Sequence, residues 1–293
     1  MNYGLSLRQK LSIGVGVAGL VLLLLGLAML FSGNPDKYFD LSDGNYSGYQ
    51  SADITSVEIE LGYGDLNVVS GSYFKLDTTA VQTENFSVQI VNNVLKIKYD
   101  VPKIDSVYMN NGDGIATKFE LVLPNKLYED IVIKSFNGSV SMKGVSCNNL
   151  VVDAFSSDVI LERVTANQNA AFDSSISDLS INSSTLYSPE IICGTGHVMV
   201  MKSTLDELNL DGSFGDVKIA SCMLTGSTNL KCGAGNVSVM LLGNRDSYGF
   251  SFLKGKGDIK VDSKSYKEFD DTSSQNNILV DGSFGDVTIS FYE

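Results

Sequence analysis

The chain has 293 residues, with 34 acids against 21 bases and a formal net charge of −13. Two of the bases, Arg8 and Lys10, and none of the acids lie in residues 1–32, so the remaining 261 residues hold 19 bases against 34 acids, a formal charge of −15. A surface this acidic repels nucleic acid and anionic lipid headgroups, and 28 Gly beside only 4 Pro indicate a turn-rich β protein rather than a disordered one.

Residues 1–10 read as a cytoplasmic tail. Leu11–Phe31 is an uncharged run of 21 residues, which as a helix reaches ~31 Å, enough to cross a hydrocarbon core. Arg8 and Lys10 precede it, and Asp36, Asp40 and Asp43 follow it. The positive-inside bias then leaves the N-terminus in the cytoplasm and the bulk of the chain outside a cell membrane crossed once. A cleaved signal peptide is the competing reading, but the small-x-small triplet Gly26-Leu27-Ala28 lies inside the apolar run, which is longer than the usual apolar region of such peptides. Residues 33–50 are polar, acidic and Gly/Ser-rich, the composition of a juxtamembrane linker.

Residues 51–130 read as an irregular β N-terminal part that caps the domain. FKLDTTAV, FSVQIV, VLKIKYD and KFELVLP alternate as strands do. From 131 to 293 the alternation becomes a repeat. Asp-Gly-Ser-Phe-Gly-Asp-Val occurs word for word at 211–217 and 281–287, and weaker copies surround it. One column holds Asp65, Ser139, Asp158, Asp178, His197, Asp216, Asn236, Asp258 and Asp286. From Ser139 onward its intervals are 19, 20, 19, 19, 20, 22 and 28 residues.

Apolar pairs of period 2 flank that column. Val217 and Ile219 follow Asp216, and Leu208 and Leu210 precede it; the same offsets recur at Leu150 and Val152, Phe250 and Phe252, and Ile278 and Val280. Gly, Ser, Asp and Asn between the pairs are residues of a tight corner. Nearly equal units with like residues in like columns predict a parallel β-solenoid whose coils stack in register, rising ~4.8 Å each. The longer late intervals place loops near 243–248 and 263–276, standing off the rod. The fold class is therefore all-β, a solenoid of ~19–20-residue coils behind one N-terminal transmembrane helix.

TSVEIELGYGDLNVVSG at 55–71, KFELVLPNKLYEDIVIKSFNGSVSM at 118–142 and the Gly-Asp-Val-x-Ile units that follow resemble the bacterial "putative adhesin" β-strand-repeat family, a domain of unknown function. The resemblance covers roughly 54–292. It implies a β-solenoid, frequent membrane anchoring and a cell-envelope location, and some members accompany envelope-stress genes. It carries over no catalytic residue.

The residues themselves point away from catalysis. General acid/base work needs two carboxylates in different environments, whereas the Asp column repeats one corner environment in which Asp and Asn hold turns. Ser139, His197 and Asn236 replace Asp without disturbing the spacing, so the nine column residues read as structural. His197 is the only histidine, a poor start for a metal site or a triad. Of the cysteines Cys147, Cys193, Cys222 and Cys232, Cys193 and Cys232 share a column two coils apart, ~9.6 Å on the strand spacing, too far to bridge. No cofactor or metal is expected. The function expected is non-enzymatic: an envelope protein anchored by residues 11–31 that presents its solenoid to a cell-wall ligand or another envelope protein, with no nucleic-acid partner. The alternatives are an accessory of envelope-stress signalling and a β-helix carbohydrate-active enzyme.

Overall fold

The computed structural model describes residues 41–47, 54–100, 117–253, 255–266, 269–271, 274–281 and 284–292. The apolar run at 11–31 lies outside them. Among the described residues no helix is long and apolar enough to cross a membrane; beyond strands and corners there are two single 3-10 turns, Thr83–Asn85 and Arg245–Ser247.

The coil at 185–203 shows the plan. Its three strands, Thr185–Tyr187, Pro189–Cys193 and Val198–Met201, pair in parallel with the equivalent strands of the coils before and after it. Two of its three corners are single residues in the left-handed region. Ser188 (φ 42°) stands in file with Glu207 (56°) and Gly226 (67°), and Lys202 (50°) with Gly144 (69°), Arg163 (54°), Ser183 (53°) and Ser221 (58°). This conformation is unfavourable for non-glycine residues, and the ladder offsets it. Such N–H groups still donate to the next layer, as Arg163 to Asn182, Ser183 to Met201 and Lys202 to Ala220, all at 3.0 Å.

Stacking in register turns the period-2 pattern into continuous apolar files. Ile133, Val152, Phe172, Ile191, Leu210 and Leu230 form one, and Val140, Val159, Leu179, Val198, Val217 and Val237 another. All are at most 3% exposed, and Leu208 and Ile219 are buried with them. All four cysteines are buried and free. A polar file turns one corner inside: the Val164 N–H donates to Ser184 Oγ (3.0 Å), that of Ser184 to Ser203 Oγ (3.1 Å), and that of Ser203 to Cys222 Sγ (3.5 Å).

At the C-terminal end stacking order departs from chain order. Ser227–Lys231 pairs in parallel with Asn276–Asp281, and Val237–Leu242 with Val287–Tyr292, so the last coil sits directly on the 227–242 coil. The 248–261 coil lies one layer further out, with Tyr248–Leu253 on Asn276–Asp281 and Ile259–Val261 on Val287–Tyr292. Beyond it Lys264–Tyr266 and Phe269–Asp271 return antiparallel. The chain skips a layer after Leu242, builds the outer coil, folds back over it and fills the gap last. This corrects the expected order, in which Asp258 stood between Asn236 and Asp286, and the expectation of loops standing off the rod across 263–276.

The N-terminal end is built from the same parts in reverse chain order. Ser56–Leu61 and Asp65–Gly71 form the layer against Leu127–Lys143. Val94–Tyr99 and Lys118–Pro124 form the next layer out. Phe86–Val91 and Lys75–Gln82 lie antiparallel on that layer. The regular coils thus begin at Leu127 rather than 131. Leu41–Tyr46, inside the stretch expected as a linker, is a strand pairing antiparallel with Lys75–Gln82; there Asp43 Oδ1 accepts the Ala80 N–H at 3.0 Å. A stack of parallel coils cannot end on its own rule, because its last coil would expose a row of unpaired backbone groups. An antiparallel return covers that row and needs only two turn residues with positive φ. Asn92 and Asn93 (51°, 65°) supply them at one end, Asp262 and Ser263 (45°, 67°) at the other.

Candidate interaction edge

The third corner carries the column residues, and two features specify it. The first is a close approach of backbones. A Cβ on Gly196 would sit 1.8 Å from the carbonyl oxygen of Ser177, one on Gly215 1.7 Å from that of Gly196, and one on Gly285 1.7 Å from that of Gly235. No side chain fits there, which is why Gly precedes the column in coil after coil.

The second feature is a hydrogen-bond ladder through the column itself. The N–H of Asp178 donates to Asp158 Oδ1 (3.1 Å), that of His197 to Asp178 Oδ1 (2.7 Å), that of Asp216 to His197 Nδ1 (3.1 Å), and that of Asn236 to Asp216 Oδ1 (2.8 Å). It continues from the Asp286 N–H to Asn236 Oδ1 (3.0 Å) and from the Asp258 N–H to Asp286 Oδ1 (2.9 Å), in layer order rather than chain order. At the other end Ser139, the register partner of Asp158, donates its hydroxyl to Asp65 Oδ1 (2.7 Å). All nine column residues therefore lie in one file. Asp, Asn and His interchange because the position asks for an acceptor, not a charge. Among the described residues no group of three His, Cys, Asp or Glu side chains is placed to hold a metal ion.

Sequence reasoning missed what stands between the column and the preceding strand. Five residues before the column, Asp153, Asp173, Asp211 and Asp281 form a second set of carboxylates on the coils of Asp158, Asp178, Asp216 and Asp286. Between the two acids each of these coils projects a large apolar side chain: Phe155 is 46% exposed, Ile176 53%, Phe214 70% and Phe284 63%. The twin DGSFGD words held this signal. Two lysines from neighbouring layers answer it. Lys231 Nζ lies 2.6 Å from Asp211 Oδ2, and Lys256 Nζ stands 4.9 Å from the centre of the Phe284 ring. Burial alone would raise the Asp211 carboxyl, but hydrogen bonds from Lys231 and Ser213 hold it below its ordinary value.

Two other places were weighed for chemistry. Burial pushes the Cys147 thiol up to about 12 and the Cys193 thiol up to about 11, the reverse of an activated nucleophile. An open groove of about 440 Å³ lies beside Val94–Tyr99 and is lined in part by Glu58, Glu60, Lys96, Lys98 and Lys134. Four of these five charges pair off, Lys96 with Glu58 at 2.6 Å and Lys98 with Glu60 at 3.8 Å.

The sequence profile of the family described as Toastrack DUF4097 matches residues 54–290. Among solved structures, the chain is similar to a "putative cell adhesion protein" from Clostridium sporogenes ATCC 15579 at 11% identity and a TM-score of 0.30, covering 86% of this chain and 100% of that one. It is similar to a "putative adhesin" from Bacteroides fragilis NCTC 9343 at 13% identity and a TM-score of 0.40, covering 86% and 97%. A third, from Parabacteroides distasonis ATCC 8503, has 13% identity and a TM-score of 0.38, with coverage of 86% and 97%. No curated protein matches the chain.

Proposed function

The chain belongs to the Toastrack DUF4097 family, and from that premise we propose that it is a non-enzymatic cell-envelope protein that uses its β-solenoid for binding or adhesion. Residues 11–31 anchor it in the membrane, and the solenoid faces outward to meet a cell-wall ligand or another envelope protein. The observation that carries the reading is the row of exposed apolar tips along one edge of an acidic domain. Exposed apolar groups aligned on one surface mark a place of contact with a partner. Phe155 stacks on Phe136 and Phe284 lies under Lys256, yet all four tips stay 46–70% exposed. The ladder supports a non-catalytic role for the column, since one oxygen of each interior Asp is committed to a neighbouring backbone N–H.

Spheroplasts expressing the full chain test the reading in two steps. Protease added outside should digest the solenoid, and untreated spheroplasts should retain labelled cell-envelope fragments. Complete protection of the solenoid, or no retention of fragments, would overturn it.

A further inference from the structure

The edge also specifies a partner chemistry. In four coils two carboxylates flank an exposed apolar tip, as in Asp211–Phe214–Asp216 and Asp281–Phe284–Asp286. The intervening coils lack the acid pair: the matching positions are Lys134 and Ser139, Ile192 and His197, and Lys231 and Asn236. Each of these four acid pairs holds an exposed tip, and half-buried Phe136 of the Lys134/Ser139 coil stacks on the first of them, Phe155, with ring centres 5.0 Å apart. The corner itself needs neither pair nor tip, because the 185–203 coil turns it with Ile192, Thr195 and His197. Where the chain's own lysines reach these tips, the ammonium of Lys231 binds a flanking carboxylate and that of Lys256 stands over a tip ring. At the 146–164 and 165–184 coils, by contrast, Asp153, Asp158, Asp173 and Asp178 make no ion pair among the described residues. Lys134 opposes Asp153 in the strand register without closing to an ion pair.

We propose that this edge is a docking surface for a basic, extended polypeptide segment, whose Lys or Arg side chains lay their stems on the apolar tips and place their charges between the flanking carboxylates. The proposal rests on the binding role above and names the chemistry of its partner. A lysine stem is apolar and its head cationic, which matches a tip that is apolar in the middle and anionic at both sides. An aromatic tip adds attraction for the cation. The acidic domain steers a basic partner toward it from a distance. Tips recur at one- and two-layer steps, ~5 and ~10 Å on the strand spacing, within reach of neighbouring long side chains on one extended chain. An amino sugar would present the charge without the apolar stem.

The test is titration of fluorescein-labelled decalysine with the full chain in neutral detergent, read by anisotropy. Saturable binding is expected, and the charge-neutral double variant Phe214→Ser/Phe284→Ser should weaken it by about tenfold. Lys256→Ala removes the resident ammonium and should tighten binding more than Lys218→Ala, which removes the same charge from another face. Absence of binding, wild-type affinity in the double variant, or equal effects of the two lysine variants would overturn the proposal. So would displacement of decalysine by a neutral cell-wall oligosaccharide as effectively as by unlabelled peptide. Retention of envelope fragments by spheroplasts is scored in parallel. Retention without decalysine binding sinks the partner chemistry alone, while loss of both sinks the binding role as well. Both phenylalanines are largely exposed, and a thermal melt verifies that the double variant is folded.

Discussion

The coils between 127 and 242 and the two end assemblies use the same parallel strands, corners and apolar files, yet they are threaded differently. In the middle each coil lies on the one just made. At both ends the chain leaves a layer open, builds outward, turns back antiparallel and has one coil enclosed between two others. The middle follows a local rule, in which about twenty residues return the chain to its starting column one layer up. The ends obey a different requirement: the last parallel coil is shielded by antiparallel returns, so that the outermost edges are short strands of three to six residues.

Deletion should separate the two regions most sharply. A chain ending at Asp271 keeps the outer coil but loses the enclosed one, leaving an apolar slot between Leu230 and Val239 on one side and Phe252 and Val261 on the other. It should lose its cooperative melt and bind a hydrophobic dye. Deleting 185–203 joins Ser184 to Thr204, the register partner of Thr185, and should leave a shorter rod with a cooperative melt. Similar behaviour of the two deletions in calorimetry would erase the distinction.

Core truncation comes next. Leu210→Ala opens a cavity in a file closed on both sides and should cost about 3 kcal/mol, against about 0.5 kcal/mol or less for exposed Lys218→Ala. Denaturant titration reads both, and equal costs would contradict the strand register.

The close approach at the corner is the same in both regions, so it should not tell them apart. Gly215→Ala in the middle and Gly285→Ala in the enclosed coil each place a Cβ 1.7 Å from a backbone oxygen. Each should cost about 2 kcal/mol through forced backbone movement. A harmless Gly285→Ala beside a costly Gly215→Ala would show that the enclosed coil packs more loosely.

The smallest expected effect reports layer order directly. Asn236→Val removes the acceptor of the Asp286 N–H and should cost about 1 kcal/mol. Hydrogen exchange should then speed up at the Asp286 amide and not at the Asp258 amide, whose acceptor is Asp286. Faster exchange at Asp258 alone would restore chain order to the stack.

Much of the middle was legible in advance. Val217 and Ile219 could only be inward if the alternation belonged to strands, and a spacing of 19 or 20 residues could only persist if coils stacked. The column was visible too, though its bonding was not: that His197 can replace Asp follows from the acceptor role of Nδ1, which needs the next layer to be seen. The apolar tips lie in view inside the twin DGSFGD words, but the sequence alone does not show them exposed, because a turn residue's exposure is decided by what passes beside it. The hairpin signal at Asn92-Asn93 was also present in the chain and went unused.

The amino-acid sequence by itself determined the coil: its period, its buried face, its glycine corner and its acceptor column. These are set by contacts between residues a fixed distance apart along the chain, and each repeat states them again. Only the tertiary structure decided the order of the last layers, the strand at 41–46 and the meeting of Lys231 and Lys256 with the acidic edge. Every coil offers nearly the same pair of faces to its neighbours, so local pattern cannot choose among them. The choice falls to the ends, where covering the open edges is a property of the whole stack.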